Sequence, residues 1–182
     1  VAARGGNTLM NVGPRPDGLI DDPDVAILKG IGQWMKINGE SIHGTQRTPL
    51  EVQAWGQSTR KGNVLYLHVF QWPEDGKLIV GGLKSDVEKA LLLADADQQP
   101  LETVRLNPND LIVNLPGQAP DPFNSVVVLK IAGPVATAPG RLLSTTINNV
   151  LHVFDAQCSS SLGFGDGKVT RDEAEAAHKV MM

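Results

Sequence analysis

Short apolar or alternating runs dominate the middle of the chain, between residues 47 and 133. Turn residues separate these runs about every ten residues, and no helical pattern between them is long enough for a parallel crossover. This rhythm predicts an antiparallel β-sandwich, with a different small all-β barrel as the alternative. The predicted strands are Val52–Ser58, Val64–Phe70, Lys77–Val80, Lys89–Leu93, Leu101–Leu106, Leu111–Leu115 and Ser125–Ile131. Asp75-Gly76 predicts a hairpin between the second and third of them.

Residues 1–46 predict a different unit, a strand followed by a helix. Asn7–Val12 is a short apolar run typical of a buried parallel strand, and Gly13–Gly18 must turn. A helix is predicted over residues 23–37, with Asp22 as its N-cap and Asn38-Gly39 as a left-handed stop. Its wide apolar face either packs on the sandwich or remains an exposed patch.

The end of the chain predicts a helical hairpin that resembles a calcium loop. Residues 134–143 are rich in Pro, Ala and Gly and predict a linker, and residues 144–182 predict two helices around a Gly- and Ser-rich loop. An EF-hand needs oxygen ligands at loop positions 1, 3, 5, 7, 9 and 12 and glycine at position 6. That register fits when seven residues, 158–164, are skipped and Gly167 takes position 6. The ligands would then be Asp155, Gln157, Asp166, Lys168 through its carbonyl, Thr170 and Glu173.

The seven-residue insertion and the neutral Gln157 both weaken this calcium prediction, because fewer carboxylates and a looser loop lower the affinity. The alternative is an ordinary helical hairpin that binds no metal. If Ca²⁺ binds, its Kd is expected around 10⁻⁴–10⁻³ M, the range of extracellular modules. Such an affinity favours a secreted or periplasmic protein.

Composition excludes several classes of function. The net charge of −4 over 182 residues provides no basic surface for nucleic acid or an anionic membrane. No apolar run approaches the roughly 20 residues that span a bilayer. The single cysteine, Cys158, excludes an internal disulfide framework. The chain begins at Val1 rather than at a methionine, so we expect it to be a fragment of a longer protein.

Six segments follow one another in an order that is typical of one enzyme family: Gly5–Pro14, Pro16–Gly18, Ile31–Gly44, Trp55–Thr59, Lys61–Phe70 and Ala119–Pro122. Together they resemble the α-L-fucosidases, glycoside hydrolase family 29. The resemblance implies that residues 1–46 are the last βα unit of a (β/α)8 barrel and that residues 47–133 are the C-terminal sandwich. The expected fold is therefore mainly β: a sandwich preceded by one barrel unit and followed by the EF-hand-like tail. His43 departs from the family, which more often has an aromatic hydroxyl residue there.

The resemblance implies retaining hydrolysis of α-L-fucosides by a parent enzyme that needs no cofactor for catalysis. A retaining glycosidase uses two carboxyl groups about 5–5.5 Å apart. In the family, the nucleophilic aspartate and the acid/base glutamate both precede this region, so the chain alone is expected to be inactive. Its partners would be fucosylated glycans, through the parent enzyme, and the missing barrel. The alternatives are a carbohydrate-binding module and a purely structural sandwich.

Few residues of this chain are candidates for a site. Asn11, at the end of the predicted strand, could line the sugar pocket or hydrogen-bond its own loop. Trp72, beside the predicted hairpin turn, could stack on a glycan. Asp17 fits a turn former, and His68, within an apolar strand, fits a structural histidine.

Overall fold

The computed structural model describes residues 1–138. One long helix, α1, spans Asp22–Asn38, and short 3-10 turns span Ala2–Arg4 and Gly39–Ser41. The strands are β1 Gly56–Lys61, β2 Val64–Val69, β3 Lys77–Val80, β4 Val87–Leu92, β5 Pro100–Leu101, β6 Thr103–Asn107, β7 Asp110–Asn114 and β8 Ser125–Ile131.

The predicted strand Asn7–Val12 does not form in this chain. Residues 6–13 have no regular secondary structure and are exposed, and Leu9 exposes 88% of its surface. A parallel strand needs neighbouring strands for its backbone hydrogen bonds, and no named strand within residues 1–138 pairs with this segment. The apolar run therefore lacks the partners that would bury it.

Helix α1 forms where the sequence predicted it, although its two ends differ in detail. Asp21 occupies the N-cap position in place of Asp22, and its side chain makes no capping hydrogen bond. At the other end, Gly39 is right-handed (φ −60°), so the prediction of a left-handed stop was wrong. The chain continues through the 3-10 turn, and the left-handed glycine comes at Gly44 (φ 69°).

Two antiparallel sheets confirm the predicted sandwich. The larger has the strand order β1-β2-β8-β4-β5, and the smaller has the order β3-β7-β6. The predicted hairpin between β2 and β3 was wrong, because these strands belong to different sheets. The Asp75-Gly76 turn does form, with Asp75 accepting a 3.0 Å hydrogen bond from the Lys77 N–H, but it lies in the connection between the sheets.

The main core lies between the two sheets. It is made of the inward side chains of the long strands, including Leu65, Leu67, Leu78, Val80, Val113, Val127 and Leu129, each with no exposed surface. Burial of one such aliphatic side chain contributes about 1.5–3 kcal/mol. Trp55 completes this core, and its indole N–H donates to the Ile79 carbonyl on β3 at 2.7 Å.

A second apolar cluster covers the outer face of the larger sheet. It contains Tyr66, Leu91, Val126 and Val128, and Trp34 of helix α1 packs against it. The Trp34 indole N–H donates to the Asn124 carbonyl, which precedes β8, at 2.8 Å. Helix α1 therefore packs on the sandwich through Trp34, while Ile27, Ile31 and Ile37 remain 40–59% exposed.

Candidate functional site

The loop that precedes helix α1 contains two carboxylates held by one arginine. The Arg15 guanidinium lies 3.0 Å from Asp17 and 3.7 Å from Asp21. Asp17 also accepts the Leu19 N–H at 3.0 Å, which supports its prediction as a turn former. Both carboxylates are more than half exposed, so water screens their charges and the ion pairs stabilise the loop weakly. Two solvated carboxylates engaged by an arginine do not have the shielded environment that a glycosidase acid requires.

Asn11 lies in the exposed segment that follows residue 6. No hydrogen bond of its side chain is found among residues 1–138. Its predicted place at a sugar pocket remains a prediction, since the strand that would position it is not formed.

Trp72 lies between β2 and β3 and is partly buried. Its indole packs against the main core, and its N–H donates to the Pro116 carbonyl at 3.0 Å. These contacts fix the orientation of the ring while leaving part of it accessible. Its role in glycan stacking remains a prediction.

The junction between helix α1 and the sandwich contains a set of polar contacts that the sequence did not reveal. His68 of β2 is 4% exposed and lies at its centre. Its Nε2 is 3.4 Å from Thr59 Oγ1, its Nδ1 is 3.3 Å from Asn124 Nδ2, and its ring centroid is 6.2 Å from that of Trp34. Burial lowers the pKa of His68 and so favours the neutral ring. The burial and the contacts agree with the prediction of a structural histidine, and the ring also lies beside Trp34 of helix α1.

A second contact of this junction joins Glu40 and Tyr66. Burial raises the pKa of the Tyr66 hydroxyl, and the negative charge of Glu40 and its hydrogen bond act in the same direction. Tyr66 therefore stays neutral and connects the 3-10 turn Gly39–Ser41 to the outer face of the sheet.

The sequence does indicate that Tyr66 and His68 share one face of β2, because they are two residues apart in a strand whose side chains alternate between its faces. Nothing in the sequence indicated that Asn124, which is 56 residues beyond His68, contacts the same ring.

The predicted calcium ligands Asp155, Gln157, Asp166, Lys168, Thr170 and Glu173 lie outside the described residues. Within residues 1–138, no three His, Cys, Asp or Glu side chains are grouped as a metal site would require. The part of the chain that the structure describes contains no helix that is both long and apolar enough to cross a membrane.

Comparisons with known proteins all point to one family. The family model described as Alpha-L-fucosidase matches residues 1–40. Plasma alpha-L-fucosidase from Homo sapiens is 33% identical over 117 residues, which are 62% of this chain and 25% of that protein. Alpha-L-fucosidase from Dictyostelium discoideum is 34% identical over 131 residues, covering 66% of this chain and 28% of the relative.

Solved structures agree with the sequence comparisons. Alpha-L-fucosidase isoenzyme 1 from Paenibacillus thiaminolyticus superposes with a TM-score of 0.65 at 36% identity, covering 72% of this chain and 32% of that one. A GH29 alpha-L-fucosidase from Bacteroides thetaiotaomicron, trapped as a covalent intermediate, gives 0.66 at 32% identity, with 72% and 30% coverage. The chain spans about a quarter to a third of the length of these relatives. By sequence and by structure, it is a relative of the α-L-fucosidases of glycoside hydrolase family 29 and corresponds to a part of them that includes a β-sandwich.

Proposed function

We propose that this chain is the C-terminal part of a secreted or periplasmic retaining α-L-fucosidase, in which the sandwich supports the last helix of the catalytic barrel. The parent enzyme would hydrolyse α-L-fucosides of fucosylated glycans without a cofactor. Its relatives include a plasma enzyme and one trapped as a covalent intermediate, which support secretion and retention respectively.

The observation that carries this proposal is the incomplete packing of helix α1. Trp34 attaches the C-terminal half of the helix to the sandwich. Ile27 and Ile31, about two turns and one turn before Trp34 on the same side of the helix, expose 59% and 40% of their surfaces, and Ile37 exposes 58%. The apolar segment that precedes the helix is also exposed. A contiguous apolar surface of this kind marks a contact with another structural unit. The remaining strands and helices of the barrel would be that unit.

The chain alone is proposed to be inactive, because retention requires two carboxyl groups about 5–5.5 Å apart. Within the described residues, Asp17 and Asp21 share the Arg15 guanidinium and are open to water. A retaining mechanism also needs one of the two carboxyl groups in a site shielded from water, and neither Asp17 nor Asp21 has such a site.

The test compares the 182-residue chain with a chimera that joins it to the segment preceding the matched region of the Paenibacillus relative, which would supply the barrel. With 4-nitrophenyl α-L-fucoside, the chimera should turn over and the chain alone should not. Turnover by the chain alone that disappears on a substitution within residues 1–46 would overturn the proposal.

The packing claim has a separate test in the same chimera. Replacing Ile27, Ile31 and Ile37 together by serine should destabilise the chimera and reduce its folded yield, because these side chains would face the barrel. The matched control replaces Val104 and Leu106 of β6, which are 46% and 52% exposed, by serine. Equal losses in the two variants would show that helix α1 does not face the barrel.

A second candidate function is recognition of glycans by the sandwich itself, which the fixed and partly accessible Trp72 favours. Calorimetric titration with fucosylated oligosaccharides should then show saturable binding that Trp72→Ala removes. Phe123→Ala is the control, since Phe123 is an aromatic residue 83% exposed. Absence of binding, or equal loss in both variants, would leave the sandwich with a structural role only.

A further inference from the structure

The junction around His68 brings together three side chains and one backbone carbonyl, that of Ser41, from four separate parts of the chain. Thr59 is on β1, Asn124 precedes β8, Ser41 ends the 3-10 turn after the helix, and Trp34 is on helix α1. Because the Trp34 indole donates to the Asn124 carbonyl, the residue that contacts His68 Nδ1 is also the anchor of the helix. The state of the imidazole and the attachment of the helix therefore depend on the same residue.

Hydrogen-bond donors around His68 fix one neutral tautomer. Thr59 donates its only hydroxyl hydrogen to the Ser41 carbonyl at 2.6 Å, since a carbonyl cannot donate. Thr59 Oγ1 can then only accept, so His68 Nε2 carries a hydrogen. On the other side, Asn124 Nδ2 has hydrogens to donate and no lone pair to offer, so His68 Nδ1 must be unprotonated.

Asn124 also has an unusual feature, a buried side-chain oxygen without a partner. Its Oδ1 makes no hydrogen bond, and a buried polar atom in that state is unfavourable. This oxygen is the atom that a protonated Nδ1 would need as its acceptor. A half-turn of the Asn124 amide would bring it there.

We propose that this junction is a proton-sensitive lock: neutral His68 holds helix α1 on the sandwich, and a second proton, on Nδ1, turns the Asn124 amide and loosens the helix. The imidazolium would require Oδ1 of Asn124 at its Nδ1 and would leave the Asn124 NH₂ group without its acceptor. It would also place a charge in a buried site beside the apolar cluster of Tyr66 and Val126.

Other charged or titratable groups of the neighbouring elements do not compensate that charge. The Asp121 carboxylate, beside Asn124, accepts the backbone N–H groups of Phe123 and Asn124 at 2.8 and 2.9 Å. Glu40 acts on Tyr66, and the Arg60 guanidinium is bonded to Gln46. The Val1 ammonium repels a charged His68. His43 is exposed, and its ring lies beside Gly39. The carbonyl of Ser41 favours the imidazolium but is already shared with Thr59.

The sign of the pH dependence follows from proton linkage. Above pH about 6.5, the ordinary pKa of histidine, His68 is neutral whether the helix is attached or released, and attachment does not depend on pH. Below that value the released form binds the proton first, because burial lowers the pKa of the attached form. The equilibrium constant for attachment should then fall up to about tenfold per pH unit, until the pKa of the attached form is reached.

Nuclear magnetic resonance on the full chain provides the test. At pH 7.5, the ¹⁵N shifts of His68 should show the Nε2–H tautomer. The protection of the Trp34 indole N–H from hydrogen exchange, corrected for intrinsic exchange, should be constant from pH 7.5 to about 6.5. Between pH about 6.5 and 5.0 it should fall by up to about tenfold per pH unit. His68→Gln should remove this dependence, and His43→Gln, which changes an exposed histidine, should retain it.

Asn124→Asp supplies a second and opposite expectation. A carboxylate accepts from Nδ1 and stabilises the imidazolium, so the pKa of His68 in the attached form should rise above 6.5. Attachment in this variant should be strongest at low pH and weaken as pH rises through the new pKa. An Nδ1–H tautomer in the wild type at pH 7.5, or the same pH dependence in His68→Gln, would overturn the lock.

Discussion

Replacement of Trp34 by alanine is expected to detach helix α1 from the sandwich. Tryptophan-to-alanine changes in a full core destabilise a protein by about 3–5 kcal/mol, and Trp34 is only partly buried. The change also removes the indole N–H, 2.8 Å from the Asn124 carbonyl, a hydrogen bond with a net contribution of about 1 kcal/mol. Together these effects predict a loss of about 2–3 kcal/mol in the free energy of unfolding.

Trp34→Phe separates the two contributions, because it keeps an aromatic ring but has no N–H donor. It should lose about 1 kcal/mol. Urea unfolding followed by circular dichroism at pH 7.5 measures both variants, with hydrogen exchange of the α1 amides as the local readout. Ile31→Ala, at a 40% exposed position of the same helix, should remain within about 0.5 kcal/mol of the wild type. A Trp34→Ala variant as stable as Ile31→Ala would refute the proposed attachment.

Two further outcomes test the backbone and the tail. Gly56→Ala should destabilise the chain by at least about 3 kcal/mol in urea unfolding, because Gly56 has φ 152° and an added Cβ would lie 2.1 Å from the His68 carbonyl oxygen. The control Gly62→Ala, at a glycine with φ 59° and open space around it, should lose only about 1 kcal/mol. Equal losses in the two variants would contradict this explanation. If the predicted loop binds Ca²⁺, calcium at ten times its Kd should stabilise the chain by about 1.4 kcal/mol and raise its Tm. Magnesium and Glu173→Gln are the controls, and an unchanged Tm would favour the simple helical hairpin.

Strands buried on one face were predictable where alternation and turn residues agreed. The limits of β3 and β8 match the predicted Lys77–Val80 and Ser125–Ile131, and β2 differs by one residue from Val64–Phe70. The start of the first strand was placed four residues too early, since Val52, Ala54 and Trp55 are apolar but the ladder with β2 begins only at Gly56. Hydrophobicity identified this segment, but it did not indicate which of its residues pair.

Pairing between strands was less predictable than the strands themselves. Asp75-Gly76 has the residues of a hairpin turn, yet β2 pairs with β1 and β8, and β3 pairs with β7. A local turn signal determines the direction of the chain over four residues. The sheet that the next strand joins depends on contacts with strands more than thirty residues away. For the same reason the junction of His68, Thr59, Asn124 and Trp34 could not be derived from any one segment.

The segment Asn7–Val12 shows that a strand pattern is a conditional property. Its sequence is typical of a buried parallel strand, and it lies within the residues that match the Alpha-L-fucosidase family model. A helix satisfies its own backbone hydrogen bonds, so α1 forms beside the sandwich, whereas a parallel strand depends on its neighbours. If residues 1–46 are the last βα unit of a barrel, as we propose, an ordered helix beside an irregular strand segment is what this unit should show without the rest of its sheet. Joining the proposed barrel strands should order residues 7–12 and protect their amides, while the β2–β8 ladder should be unchanged.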